Sequence, residues 1–95
     1  MVAIRVVGTN MDPTIRDGAI ACVDRGDKTI VPTDIYAVHN GQGKGAVRRL
    51  TVVPGGLVLL SDNREHAFEN LKLSPEKKLE DFVIGKVIWV WQSFV

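Results

Sequence analysis

Ninety-five residues, 45% of them apolar and 24% charged, suffice for one small globular domain but not two, and this balance excludes a disordered chain. Twelve Lys and Arg against eleven Asp and Glu leave a formal net charge of +1, without the basic excess that gripping nucleic-acid phosphates requires. The longest apolar run, 87–91, is far below the roughly 20 residues of a membrane span.

In chain order, short runs rich in Val and Ile predict strands over 2–7, 19–24, 35–40, 46–53, 57–60 and 83–91. The first run begins at once, with no long apolar leader, so nothing marks the chain for secretion. The single cysteine, Cys22, cannot close an internal disulfide, which fits a reducing, cytoplasmic setting. Asp12-Pro13-Thr14-Ile15 sets a capping residue before a proline at a first helical position and predicts a short helical turn. Gly41-Gln42-Gly43-Lys44-Gly45 reads as a loop tip, and Pro54-Gly55-Gly56 as the tight turn of a hairpin over 46–61. Residues 62–81 form a polar excursion, with a second capped turn at Ser74-Pro75-Glu76-Lys77. No segment keeps helical periodicity for the roughly 10 residues of an ordinary helix. The expected fold class is mostly β with at most short helical turns, in a single domain over 1–95.

The last strand is apolar on both sides. Simple alternation puts Val83, Gly85, Val87, Trp89 and Trp91 on one face and Ile84, Ile88 and Val90 on the other. Such a strand needs two covers. Either both faces pack within the domain, or Ile84, Ile88, Trp89, Val90 and Trp91 include a surface for a partner subunit.

Three stretches belong together. They are Val7-Gly8-Thr9-Asn10-Met11-Asp12-Pro13-Thr14-Ile15; then Ile35-Tyr36-Ala37-Val38 followed by Val47-Arg48-Arg49-Leu50; then Leu59-Leu60-Ser61-Asp62-Asn63, with Ile84-Gly85-Lys86-Val87-Ile88-Trp89 near the end. In this order and spacing the chain resembles the C-terminal domain of LexA and phage CI-type repressors, the self-cleaving serine peptidases of the S24 family that include UmuD-like proteins. The resemblance runs from about Val6 to Trp91. It implies a curved, mostly β domain of the LexA and signal-peptidase-like kind that pairs into dimers behind a helix-turn-helix DNA-binding domain.

In that family the first stretch reads G-x-S-M-x-P-T-I and its serine is the nucleophile; the second reads V-K-R-L and its lysine is the base. Here those positions are Asn10 and Arg48. A carboxamide offers no nucleophile comparable to an alkoxide, and a guanidinium stays protonated at physiological pH. Serine attack needs a base to take its proton, and an amine serves only when desolvation lowers its pKa. With both members changed, this mechanism has no route, and the expectation is a catalytically dead relative. Asn10 is expected to accept a hydrogen bond from Arg48, unless Arg48 extends into solvent.

Other residues have plainer roles. Thr9, Met11 and Pro13 match positions flanking the nucleophile. Thr9 offers a hydroxyl, but strand pleating would turn it away from any base at Lys44 or Lys86, and Arg49 is no better a base than Arg48. His39 and His66 lack partners at metal-ligand spacing, so no metal or other cofactor is expected. Cys22 reads as a small core residue, Ser61-Asp62-Asn63 as a strand-end turn. Trp89 and Trp91 read as core or interface aromatics and not as a base-stacking platform.

The resemblance then implies a dimeric, cytoplasmic regulatory domain of a prophage-type repressor, without self-cleavage in the SOS response. It would reach DNA only through a missing N-terminal domain, since the first strand begins at residue 2, and would answer to an antirepressor or a RecA-type protein. The alternatives are an active or engineered-inactive self-cleaving peptidase, and a stand-alone binding protein that forms mixed dimers with a related repressor.

Overall fold

Runs of Val, Ile and Leu interrupted by Gly and Pro build the protein almost wholly from strands. In a computed structural model, residues 1–27, 29–39, 45–72 and 79–93 are described. They form β1 (Val2–Arg5), β2 (Ile20–Asp24), β3 (Ile35–His39), β4 (Gly45–Val53), β5 (Gly56–Leu60), β6 (Glu69–Lys72), the single-turn α1 (Leu79–Phe82) and β7 (Val83–Trp91). All seven strands join one antiparallel sheet in the order β1-β2-β7-β3-β4-β5-β6. The last strand thus lies between the β1–β2 hairpin and the β3–β6 meander and ties one to the other.

Six strands and the mostly β class agree with the Val- and Ile-rich runs in the sequence. β6 does not: it lies inside the stretch read as a polar excursion. Its residues, Glu69, Asn70, Leu71 and Lys72, are those of an edge strand, where charge blocks pairing with another chain. Residues 12–15 make a single turn, closed by Ile15 N donating to the Met11 carbonyl at 2.9 Å, with a cis Asp12–Pro13 peptide. Of the expected loop tip at 41–45 only Gly45 is described, as the first residue of β4, and the capped turn at 74–77 lies outside the described residues.

Two apolar clusters lie on opposite faces of β3 and β4. The first gathers Val6, Met11, Ile15, Ala19, Ala21 and Val47; the second gathers Tyr36, Val38, Leu50, Leu57, Leu59 and Val83. Tyr36 is fully buried, and its hydroxyl is satisfied twice, donating to the Thr29 carbonyl at 2.9 Å and accepting from Val31 N at 2.7 Å. Tyr36→Phe keeps the packing but leaves both backbone groups unpartnered. It is expected to cost about 1–3 kcal/mol, read as a lower urea midpoint at unchanged slope.

A bulge changes the faces of β7. Cys22 pairs with Trp89 but Val23 pairs with Val87, so Ile88 is an extra residue and the alternation reverses there. Val87 and Val90 both pack toward the first cluster, whereas Trp89 and Trp91 turn outward, 58% and 72% exposed. Simple alternation had Val87, Trp89 and Trp91 on one side; no Gly or Pro marks Ile88 as the break. Ile84 is also an extra residue, opposite the step between Ala37 and Val38, and its Cδ1 lies close to Gly45 beside that of Ile4. Of the five candidate interface residues, Ile88, Trp89 and Trp91 are exposed, Ile84 is half-buried, and Val90 packs against the first cluster. Cys22 is a correction too: it lies opposite Trp89, half-buried, with its thiol 3.6 Å from the Met1 sulfur, and not in either core cluster.

Candidate functional site

The connection from β1 to β2 carries the first set of site residues and is shaped by backbone geometry. Gly8 has φ of +97°, a conformation side chains rarely adopt, and its N–H donates to Asp17 Oδ1 at 2.8 Å. β1 ends at Arg5, before the expected end at residue 7, so Thr9 and Asn10 lie outside the strand and pleating does not decide where Thr9 points. Its hydroxyl lies 3.1 Å from His66 Nε2, a hydroxyl–imidazole pairing that the sequence reading did not find. Met11 is buried in the first core cluster and does not border an open cleft. Pro13 and Thr9 line a shallow depression with Asp12, Arg16, Asp17, Asn63 and Glu65.

The turn after β5 holds this connection down. Asn63 N donates to the Asn10 carbonyl at 2.9 Å, and Asn63 Nδ2 to the Thr9 carbonyl at 2.9 Å. Asn10 Nδ2 donates to Ser61 Oγ at 3.2 Å. Asp62 takes Thr14 Oγ1 at 2.5 Å on one oxygen and binds Arg49 through both. Thus Ser61, Asp62 and Asn63 form more than a turn: each grips a different part of residues 9–14.

Arg49, set aside above as no better a base, is the main cation of this arrangement. Nε reaches Asp62 Oδ1 at 2.7 Å, Nη2 reaches Oδ2 at 3.1 Å, and Nη1 donates to the Thr33 carbonyl at 2.7 Å. The Asp62 hydrogen bond raises the Arg49 pKa, and the Arg49 hydrogen bond holds the Asp62 carboxyl below its ordinary value. With a depressed folded pKa, the stabilisation is complete above the unfolded value of about 3.9 and disappears as pH falls below it. The carboxylate is only 17% exposed and the pairing is bidentate. Asp62→Asn is therefore expected to cost about 1–2 kcal/mol at pH 7 and almost nothing at pH 2–3, measured by urea unfolding across pH.

Asn10 and Arg48 do not hydrogen-bond to each other, contrary to expectation. Arg48 Nη1 instead donates to the Val47 carbonyl at 2.7 Å, and Asn10 is committed to Ser61. The guanidinium does not extend fully into solvent either. It is half-buried, and desolvation lowers its pKa against the opposing pull of Glu69. In the ladder of β4 and β5, Arg49 pairs with Leu60. Ser61 follows that pair, beyond the end of β5, and hydrogen-bonds Asn10 and not Arg48. Lys86 is paired with Asp34 at 3.1 Å, and Lys44 lies outside the described residues.

No group of three or more His, Cys, Asp and Glu that could hold a metal ion occurs among the described residues. No helix among them is long and apolar enough to cross a membrane. The Peptidase S24-like family model matches residues 1–88. The chain is also 36% identical, over 83 residues, to the repressor protein CI of Enterobacteria phage phi80. That match takes in 86% of this chain and 33% of the relative, so the chain spans about a third of that repressor's length. With an antiparallel sheet of the expected class and these two matches, the chain belongs to the Peptidase S24-like family, as a repressor-related domain.

Proposed function

We propose that this domain is the regulatory and dimerisation module of a phage- or prophage-type transcriptional repressor that has lost self-cleavage. The reading is carried by the sequence pattern of this repressor-related S24-like chain, in which Asn10 and Arg48 stand where the family pattern has its serine and lysine. Residues 1–95 act as one domain that brings DNA-binding domains of the longer protein together, so that paired half-sites are bound with avidity in the cytoplasm. Release from DNA, without cleavage in the SOS response, falls to an antirepressor or a RecA-type protein that binds this domain. The exposed Ile88, Trp89 and Trp91 on β7 suit a surface between copies.

Sedimentation velocity over a range of micromolar concentrations tests the assembly. A dimer is expected, and Trp89→Lys with Trp91→Lys is expected to leave a folded monomer. A native protein that stays monomeric throughout would remove the dimerisation role.

The Thr9–His66 contact favours one other reading, a peptidase with a displaced nucleophile. A hydroxyl within hydrogen-bond reach of an imidazole is the geometry of an activated nucleophile. Treating the native protein with a fluorophosphonate distinguishes the two: no adduct is expected, and a covalent adduct on Thr9 would favour the enzyme.

A further inference from the structure

Strand pairing gives the β1–β2–β7 part of the sheet two different faces. Ala3 pairs with Cys22 and Cys22 with Trp89, while Arg5 pairs with Ile20 and Ile20 with Trp91. Directly opposed residues of an antiparallel pair point to the same side, so these two rows share one face. The alternate residues Ile4, Ala21 and Val90 belong to or pack on the first core cluster. The rows therefore look outward, with Trp89 and Trp91 exposed. Asp24, two residues beyond Cys22 on β2, lies on this outer face as well.

Opposite charges stand at the two ends of this apolar strip. Arg5 marks the Ile20 end and Asp24 the other, about 13 Å apart along β2 at about 3.3 Å per residue. Cys22 lies midway between them. Arg5 is exposed and makes no hydrogen bond or ion pair among the described residues. Asp24 gives Oδ1 to Gly26 N at 2.9 Å, and its cross-strand neighbour Lys86 is committed to Asp34 at 3.1 Å. A cation and a carboxylate thus flank the tryptophans, and neither has an ion-pair partner among these residues.

We propose that this face takes a second copy of the domain, laid face to face with the two β2 strands running in opposite directions. The contact rests on the dimerisation role proposed above and adds where the copies meet and how they are oriented. A two-fold axis crossing the strands at Cys22 sets Arg5 of each copy over Asp24 of the partner subunit. Equal and opposite charges at equal distances from one centre are what a self-complementary interface requires. Stacked sheets lie about 10 Å apart, a gap that tryptophan side chains fill and an arginine spans. An axis along the strands would instead bring Arg5 toward Arg5 and Asp24 toward Asp24, so charge selects the antiparallel arrangement.

Sedimentation velocity of the native protein, Arg5→Asp, Asp24→Arg and an equimolar mixture of the two variants tests this. The native protein is expected to dimerise. Each variant alone is expected to dimerise at least about tenfold more weakly, because both symmetric contacts then oppose like charges. The mixture is expected to regain native-strength dimers, since opposite charges face each other at both contacts of a mixed pair. Arg5→Gln and Asp24→Asn, the latter keeping an acceptor for Gly26 N, are expected to flatten the salt dependence of the native dimer. That second measurement decides the matter if a charge-reversed variant fails to fold. A native protein that stays monomeric would remove the dimerisation role and this contact together. A native dimer that both reversals leave unchanged, a mixture as weak as its parts, or a salt dependence that survives both neutral substitutions would overturn only the contact.

Discussion

Replacing Gly85 with alanine is expected to cost the fold about 3 kcal/mol or more, at the upper end of overpacking penalties. β7 passes beneath the turn that follows β2. A Cβ on Gly85 would overlap the Asp24 carbonyl oxygen and crowd the Asp24 carbonyl carbon and Arg25 Cα. All three are backbone atoms, so no side chain can rotate away to make room. The turn cannot simply lift, because Lys86 N donates to the Asp27 carbonyl at 3.1 Å and Asp24 Oδ1 takes Gly26 N at 2.9 Å. The same glycine pairs with Ala37 on β3, so any shift is transmitted to the centre of the sheet. For a domain of this size, about 3 kcal/mol lowers Tm by roughly 12 °C or more. A circular-dichroism melt checks it, and a fall of less than about 4 °C would show that the turn yields easily.

The second large effect is a gain of reactivity. Asn10→Ser combined with Arg48→Lys is expected to make the domain react with a fluorophosphonate, adding one adduct by intact mass, while the native chain and each single variant stay unlabelled. Position 48 already depresses the pKa of a cation: desolvation outweighs the pull of Glu69. A lysine there would lose its proton below its ordinary value of about 10.4, so labelling should rise with pH through the alkaline range. Neither change suffices alone, because a serine without a base and a base without a nucleophile leave the pair incomplete. Members of such pairs act as a unit, with losses of several orders of magnitude when one is absent. Equal labelling of the Asn10→Ser single variant would show that position 48 does not act as the base.

The interior strands could be read from the sequence because they are short runs of Val, Ile and Leu bounded by Gly, Pro and polar residues. In β3, Tyr36 and Val38 face the second cluster and Ala37 the opposite side, yet all three are buried, so the run is apolar throughout. β6 escaped because an edge strand with Glu69 and Lys72 carries the polarity of a loop. The β7 bulge escaped because Ile88 has no special composition: only the pairing of Val23 with Val87 reveals it. The site shows the same division. Asn10 and Arg48 stand out in the sequence through their positions within a family pattern. The grip of Ser61, Asp62 and Asn63 on residues 9–14 depends on long-range contacts. So does the Arg49–Asp62 ion pair, because it depends on where β5 ends relative to β4. A two-sided salt bridge across 13 residues leaves no local pattern.

The central claim, that the change of both dyad positions has ended self-cleavage, is tested most directly by intact mass. The native gene product would be measured in its source cells before and after DNA damage. A single mass, unchanged by the damage, is the predicted result. A shortened product that accumulates after damage would contradict it, since cleavage would then proceed with Asn10 and Arg48 in place.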